Sequence, residues 1–78
     1  MVLNESDRKS VLKVLDEIRP YIVEMQLLEQ LSIQCLESSN SVDEFKTKLE
    51  QQEKELDDPV LRTDLRIYVG RLRRELKE

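Results

Sequence analysis

Apolar residues recur at spacings of three and four along most of the chain, as in an α-helix that buries one face. The first series continues through Pro20 without a change of phase: Val14, Ile18, Tyr21, Met25, Leu28, Ser32, Cys35. A turn normally resets the phase, so the series favours one long helix over about 4–37, kinked at Pro20. Proline costs a helix interior about 3 kcal/mol. A sharp corner between two helices therefore remains the alternative.

Two further helices are predicted from capping residues at their N-termini. Ser41 and Glu44 match a capping box, in which each side chain accepts from the backbone N–H of the other residue. Asp58 is a suitable N-cap before Pro59, because the first helical position has no use for the N–H that proline lacks. Asn4 is a plausible cap for the first helix.

The predicted fold is therefore all-α and forms a single domain over 1–78. Its main form is a small antiparallel bundle of three helices, at about 4–37, 42–57 and 59–77. A corner at Pro20 would make it a bundle of four.

Composition supports helices and limits how they are held together. The 78 residues include one glycine and are 38% charged, which suits helices better than sheets. A chain this short has a marginal core. Cys35 is the single cysteine and histidine is absent, so neither an internal disulfide nor a zinc site is expected. Stability must come from helix packing or from association.

The second half of the first helix has more apolar surface than a single buried face needs. Residues 21–36 are apolar nearly all round, and the last helix has a weaker second stripe that includes a glycine. We predict an apolar interface made of Tyr21, Val23, Leu27, Leu31, Ile67 and Gly70. The alternatives are that a kinked helix buries this surface within one chain, and that Gly70 is tolerated on a solvated face.

Charge is distributed unevenly. Residues 1–59 hold 7 Lys/Arg and 14 Asp/Glu, giving −7, whereas 60–78 hold 6 and 3, giving +3, and the sum is the net −4. The last helix has a predicted basic ridge of Arg62, Arg66, Arg73 and Lys77. The ridge could hold phosphates. The favoured alternative is that it faces acidic residues of the same protein or of a second copy.

The side chains that catalysis most often uses are missing. Histidine, the commonest general base, is absent, and no phosphate-binding loop or EF-hand pattern occurs. Cys35 lies on an apolar stripe, which predicts a packing role. We expect no catalytic, cofactor-binding or metal-binding residue, no small-molecule substrate, and no enzymatic activity.

The resulting functional prediction is a helical protein–protein interaction module: an adaptor, regulator or accessory subunit that self-associates, most simply as a dimer. One alternative is a nucleic-acid-associated protein that uses the basic ridge. Another is an acidic inhibitor of a basic nucleic-acid-binding protein, using the acids of 43–58. No apolar run approaches the ~20 residues of a membrane span. The N-terminus lacks a signal-peptide layout and the lone cysteine fits a reducing compartment, so a cytoplasmic location is expected.

Overall fold

A computed structural model describes residues 3–76, and within that range the chain forms helices and no strands. The four α-helices are α1 (Glu5–Glu17), α2 (Met25–Glu37), α3 (Val42–Glu55) and α4 (Pro59–Glu75). A short 3-10 turn, Arg19–Tyr21, lies between α1 and α2. The all-α prediction is confirmed. None of these helices has the length and apolar character that crossing a membrane requires.

The predicted long kinked helix over 4–37 is wrong, and the corner at Pro20 is observed instead. After Ile18 the backbone hydrogen bonds span three residues and not four. Tyr21 N–H donates to the Ile18 carbonyl at 2.8 Å, and Ile22 N–H donates to the Arg19 carbonyl at 3.2 Å. Ile22 is already extended. Pro20 has no N–H to continue the α-helical pattern and disfavours α conformation in Arg19.

The spacing of apolar residues continues across the corner because α1 and α2 bury residues in the same core. Ile18 before the turn and Leu28 after it are both buried in that core. The spacing therefore reports a shared buried side and gives no information on whether the helix between them is continuous.

The predicted helix starts are observed. Asn4 accepts from the Asp7 N–H at 2.8 Å, and Ser41 accepts from the Glu44 N–H at 3.1 Å. Asp58 caps α4 by accepting from the Val60 N–H at 3.0 Å. The capping box differs in one contact, since the Glu44 carboxylate accepts from the Asn40 N–H and not from that of Ser41.

Helix α4 is the central element, because it contacts each of the other three helices. Its Tyr68 ring packs edge-to-face on Phe45 of α3, with centroids 6.1 Å apart. The Tyr68 hydroxyl donates to the Val11 carbonyl of α1 at 2.8 Å. The buried apolar residues form one cluster: Leu3, Val11, Val14, Leu15, Ile18, Leu28, Cys35, Leu36, Val42, Phe45, Leu49, Leu61, Leu65, Tyr68, Val69 and Leu72.

Two lysines of α3 bind the C-terminal ends of neighbouring helices. Lys46 is buried and its ammonium donates to the Leu76 carbonyl, just after α4, at 3.2 Å. Lys48 donates to the carbonyl and hydroxyl of Ser38, just after α2. Helix C-termini carry unpaired carbonyls and partial negative charge, so both cations stabilise the packing of α3.

Candidate binding groove

The connection between α1 and α2 is fixed by a carboxylate from α4. Asp64 is 1% exposed, and its two oxygens accept from the backbone N–H groups of Val23 at 3.2 Å and Glu24 at 2.8 Å. Helix α2 has no side-chain cap of its own at Glu24. Asp64 therefore binds the backbone immediately before α2, at a residue that lies 40 positions earlier in the chain.

Two apolar side chains of this connection point into solvent. Tyr21 is 67% exposed and Val23 is 78% exposed, whereas Ile22 between them packs against the core. The backbone bonds to Asp64 hold the Val23 end of the segment in place. The connection thus presents exposed apolar side chains from an ordered backbone.

These side chains border the outer side of α4, where two depressions lie. One, of about 430 Å³, is lined by Ile18, Tyr21, Arg66, Ile67, Gly70, Arg71 and Arg74. The other, of about 360 Å³, is lined by Val23, Pro59, Val60, Thr63 and Asp64. A smaller depression shares Pro59 and Thr63 with the second and Arg66 with the first. We call this continuous surface the α4 groove.

The predicted apolar interface is divided by the structure. Four of its residues, Tyr21, Val23, Ile67 and Gly70, line the α4 groove. Leu27 is 47% exposed but lines neither large depression of that groove. Leu31 packs against the core and borders a different depression beside Cys35. A helix continuous through Pro20 would hold Tyr21, Leu27 and Leu31 on one element, whereas the observed corner separates Tyr21 from α2.

Gly70 has no packing role within its own chain. A Cβ added at this position would meet no atom of residues 3–76 within 4 Å. Close approach of another part of the same chain is therefore not the reason for the glycine. Glycine in a helix interior costs about 1 kcal/mol relative to alanine. The residue leaves an unfilled notch in the floor of the α4 groove.

The predicted basic ridge faces α3. Arg62 donates to the Glu53 carbonyl at 3.1 Å, and Arg66 forms an ion pair with the Glu53 carboxylate at 3.4 Å. Arg73 forms a closer pair, at 2.6 Å, with Glu50. Lys77 lies outside the described residues. The three described arginines thus lie against acids of the same chain.

Two other arginines line the groove and were not among the predicted site residues. Arg71 and Arg74 border the larger depression, and Arg71 also pairs with Glu75 at 2.7 Å. Their signal was present in the helical spacing, since Arg74 lies one turn after Gly70 and two turns after Ile67. The predicted ridge did not include Arg71 and Arg74 because they lie further round the helix than the flank of Arg62, Arg66 and Arg73.

The opposite end of the groove is acidic. Glu24 lies close to both Asp58 and Asp64, and its pKa is raised by a side-chain hydrogen bond with Asp58, by partial desolvation and by the two neighbouring charges. The same hydrogen bond, with backbone donors at Leu61 and Val60, lowers the pKa of Asp58. Asp57 is exposed immediately before that cap. Carboxylates therefore gather at the N-terminus of α4.

The remaining candidate chemistry lies in the core. Burial raises the pKa of the Cys35 thiol, against a smaller opposite effect of Lys48, so the residue is a poor nucleophile. Between residues 3 and 76, no group of three or more acids or cysteines is arranged to hold a metal ion.

Comparison with known proteins gives the family of the chain. No curated protein and no solved structure matches it. The model of the MJ1579 family matches residues 8–77, a range that contains the whole α4 groove. This family has no known function, so it adds no substrate, cofactor or partner to the description above. Because the match covers most of its length, the chain belongs to the MJ1579 family.

Proposed function

We propose that this protein is a non-catalytic helical interaction module, and that it binds another protein chain through the α4 groove. The observation that carries the proposal is the exposure of Tyr21 and Val23 on a segment that Asp64 holds in place. Exposed apolar patches with a polar rim are typical of protein interaction sites. Arg66, Arg71 and Arg74 supply such a rim here.

The composition of the groove suits a protein ligand. Tyrosine and arginine are enriched at protein interfaces because they combine apolar area with directional polar groups. The apolar side chains are Tyr21, Val23, Val60 and Ile67. A fixed backbone also lowers the entropy lost when a partner binds.

Protein is a better candidate ligand than nucleic acid. The described part of the basic ridge is engaged with Glu50 and Glu53, so its positive charge is partly neutralised. Phosphate binding relies on unneutralised cations that displace counterions. The module would act as an adaptor, regulator or accessory subunit in a reducing compartment, where a lone cysteine stays reduced.

Site-specific photocrosslinking in cells that produce the protein tests this function. A benzophenone amino acid replaces Tyr21 in one variant and Lys13, an exposed residue of α1, in the control. We expect discrete protein adducts from position 21 that are missing from position 13. Mass spectrometry distinguishes adducts that contain a second copy of the chain from adducts that contain a different protein.

Two results would contradict the function. One is the same faint, unspecific adduct pattern from both positions, which would mean that no protein occupies the groove. The other is an adduct at position 21 that nuclease treatment removes, which would assign the groove to nucleic acid.

A further inference from the structure

The α4 groove carries opposite charges at its two ends. Glu24, Asp57 and Asp58 lie at the N-terminus of α4, whereas Arg71 and Arg74 lie near its C-terminus. A ligand that fills the whole groove must carry the same two charges in the reverse order. An acidic peptide would satisfy only the arginine end and would bring its own carboxylates against those at the other end. This chain itself provides the required order.

We propose that the occupant of the α4 groove is a second copy of this chain, with the two α4 helices antiparallel about a two-fold axis. The inference rests on the protein-binding function proposed above and names the partner. A two-fold interface uses the same patch on both copies, so the patch must be complementary to itself. An antiparallel pairing places the basic end of each groove against the acidic end of the other.

Gly70 and Ile67 set the register of this pairing. Both line the same depression, and Ile67 lies one helical turn before Gly70 on the outer side of α4. When Ile67 of one copy lies opposite Gly70 of the second copy, the symmetry makes the same contact twice. The outer side of this partly buried side chain then lies over the Gly70 backbone, where no atom of the described part of the glycine's own chain comes within 4 Å of an added Cβ. Helices pack in this way when the ridge of one fits the groove of the other.

The same register aligns the charges. The two helices run in opposite directions, so Arg74, four residues after Gly70, lies opposite Thr63 of the second copy, four residues before Ile67. Thr63 adjoins Asp64, which binds the Glu24 backbone, and the Glu24 side chain lies against Asp58. In this register Arg74 lies at the acidic end of the second copy, where Glu24 and Asp58 adjoin, and this contact also forms twice.

The exposed tyrosine is covered by the same arrangement. Tyr21 lines the depression that contains Ile67 and Gly70, so it lies near the two-fold axis. In an antiparallel pair the equivalent flanks of the two helices adjoin, which brings the two Tyr21 rings together. The pairing thus covers the apolar residue whose exposure a monomer leaves unexplained.

Sedimentation velocity of the full chain over a range of concentrations tests the pairing. We expect the wild-type protein to form dimers in the micromolar range. Gly70→Gln fills the notch with a good helix former, and Arg74→Glu reverses one charge of the pair. Each should weaken dimerisation about tenfold or more, since each change acts twice across the axis. Lys13→Glu makes the same charge change outside the groove and should leave the dimer intact.

A reciprocal reversal tests the antiparallel register. Glu24→Lys alone should weaken the dimer about tenfold while leaving the fold intact, because the lysine faces Asp58 and Asp64 within its own chain. The double variant Glu24→Lys with Arg74→Glu should recover dimerisation. Circular dichroism of every variant separates weaker association from failure to fold.

Three outcomes overturn the inference: a wild-type chain that stays monomeric, a dimer that tolerates both Gly70→Gln and Arg74→Glu, and a double variant no stronger than the single ones. Its failure is distinguishable from that of the proposed function. A monomeric chain whose position 21 crosslinks to a different protein overturns only the two-fold pairing, whereas the lack of any protein adduct overturns both.

Discussion

The Asp64 carboxylate accepts a hydrogen bond from the Glu24 backbone N–H at 2.8 Å, which joins α4 to the residue immediately before α2. The other oxygen of the same carboxylate accepts from Val23. A single buried side chain thus fixes both the direction of α2 and the segment that exposes Tyr21 and Val23. The contact links the stability of the fold to the shape of the α4 groove.

Asp64→Ala should destabilise the protein by about 2–4 kcal/mol. The substitution leaves the N–H groups of Val23 and Glu24 without their acceptor, and each buried unpaired donor costs about 1–3 kcal/mol. Urea unfolding followed by far-UV circular dichroism measures the change. Asp57→Ala, at an exposed acid that makes no such contact, is the control. Equal unfolding midpoints for the two variants would show that the Asp64 contacts contribute little.

Gly70→Ala should stabilise the monomer by up to about 1 kcal/mol, because alanine restricts the unfolded backbone and favours the helix. The added methyl group meets no atom within 4 Å in the part of the chain that the structure describes. Thermal unfolding at a concentration where the chain is monomeric measures the gain. A loss of stability would mean that part of the chain approaches Gly70 closely in solution.

Local signals along the chain predict much of the fold. The starts of α1, α3 and α4 follow from Asn4, Ser41 and Asp58, because an N-cap is a contact between residues two or three apart. The spacing of apolar residues also separates the buried side of α4 from its outer side. These features depend on neighbouring residues and on helical geometry alone.

Long-range contacts account for the features of the fold that could not be predicted from the sequence. The backbone before α2 is held by Asp64, far away in the chain, and Glu24 makes no side-chain cap that would mark the start of that helix. The corner at Pro20 was hidden because both helices bury residues in one core. The α4 groove was predicted only in part, since its shape depends on the connection lying beside α4.

Tyr68→Phe should cost about 1 kcal/mol at neutral pH, the usual net value of one hydrogen bond. The phenylalanine ring keeps the edge-to-face contact with Phe45 but cannot donate to the Val11 carbonyl. Urea unfolding measures the difference. A loss of several kcal/mol would instead indicate that the ring itself has moved.

Tyr68→Phe should also change how the free energy of unfolding depends on pH in alkaline solution. Burial raises the pKa of Tyr68, so the folded protein keeps the phenol neutral at pH values where the unfolded chain ionises. The stability that the neutral Tyr68 phenol contributes is fully present below the unfolded pKa of about 10, and it is lost as pH rises above that value. Tyr68→Phe should therefore lose less stability than the wild type above about pH 10. Parallel pH profiles of the two proteins would contradict this account.

Glu24→Gln should stabilise the monomer at neutral pH and have little effect in acid. The folded pKa of Glu24 is raised from 4.5, so ionisation in the folded state, beside Asp58 and Asp64, becomes less favourable than in the unfolded chain. Stability is therefore lost as pH rises from the unfolded pKa of this residue through its folded value. Glutamine keeps a donor for Asp58 and carries no charge.

Urea midpoints across the acid range measure this effect of Glu24→Gln. The variant and the wild type should coincide where Glu24 is protonated in both states, below about pH 4, and should diverge above it, with the variant more stable. Asp58 acts in the opposite direction, since the hydrogen bond with Glu24 lowers its pKa and adds stability that is lost as pH falls. The glutamine amide supplies the same donor, so the variant keeps this contribution. Glu37→Gln, at an exposed acid on α2, is the matched control and should follow the wild-type curve. A constant difference between Glu24→Gln and wild type at every pH would show that the effect arises from packing and not from the Glu24 charge.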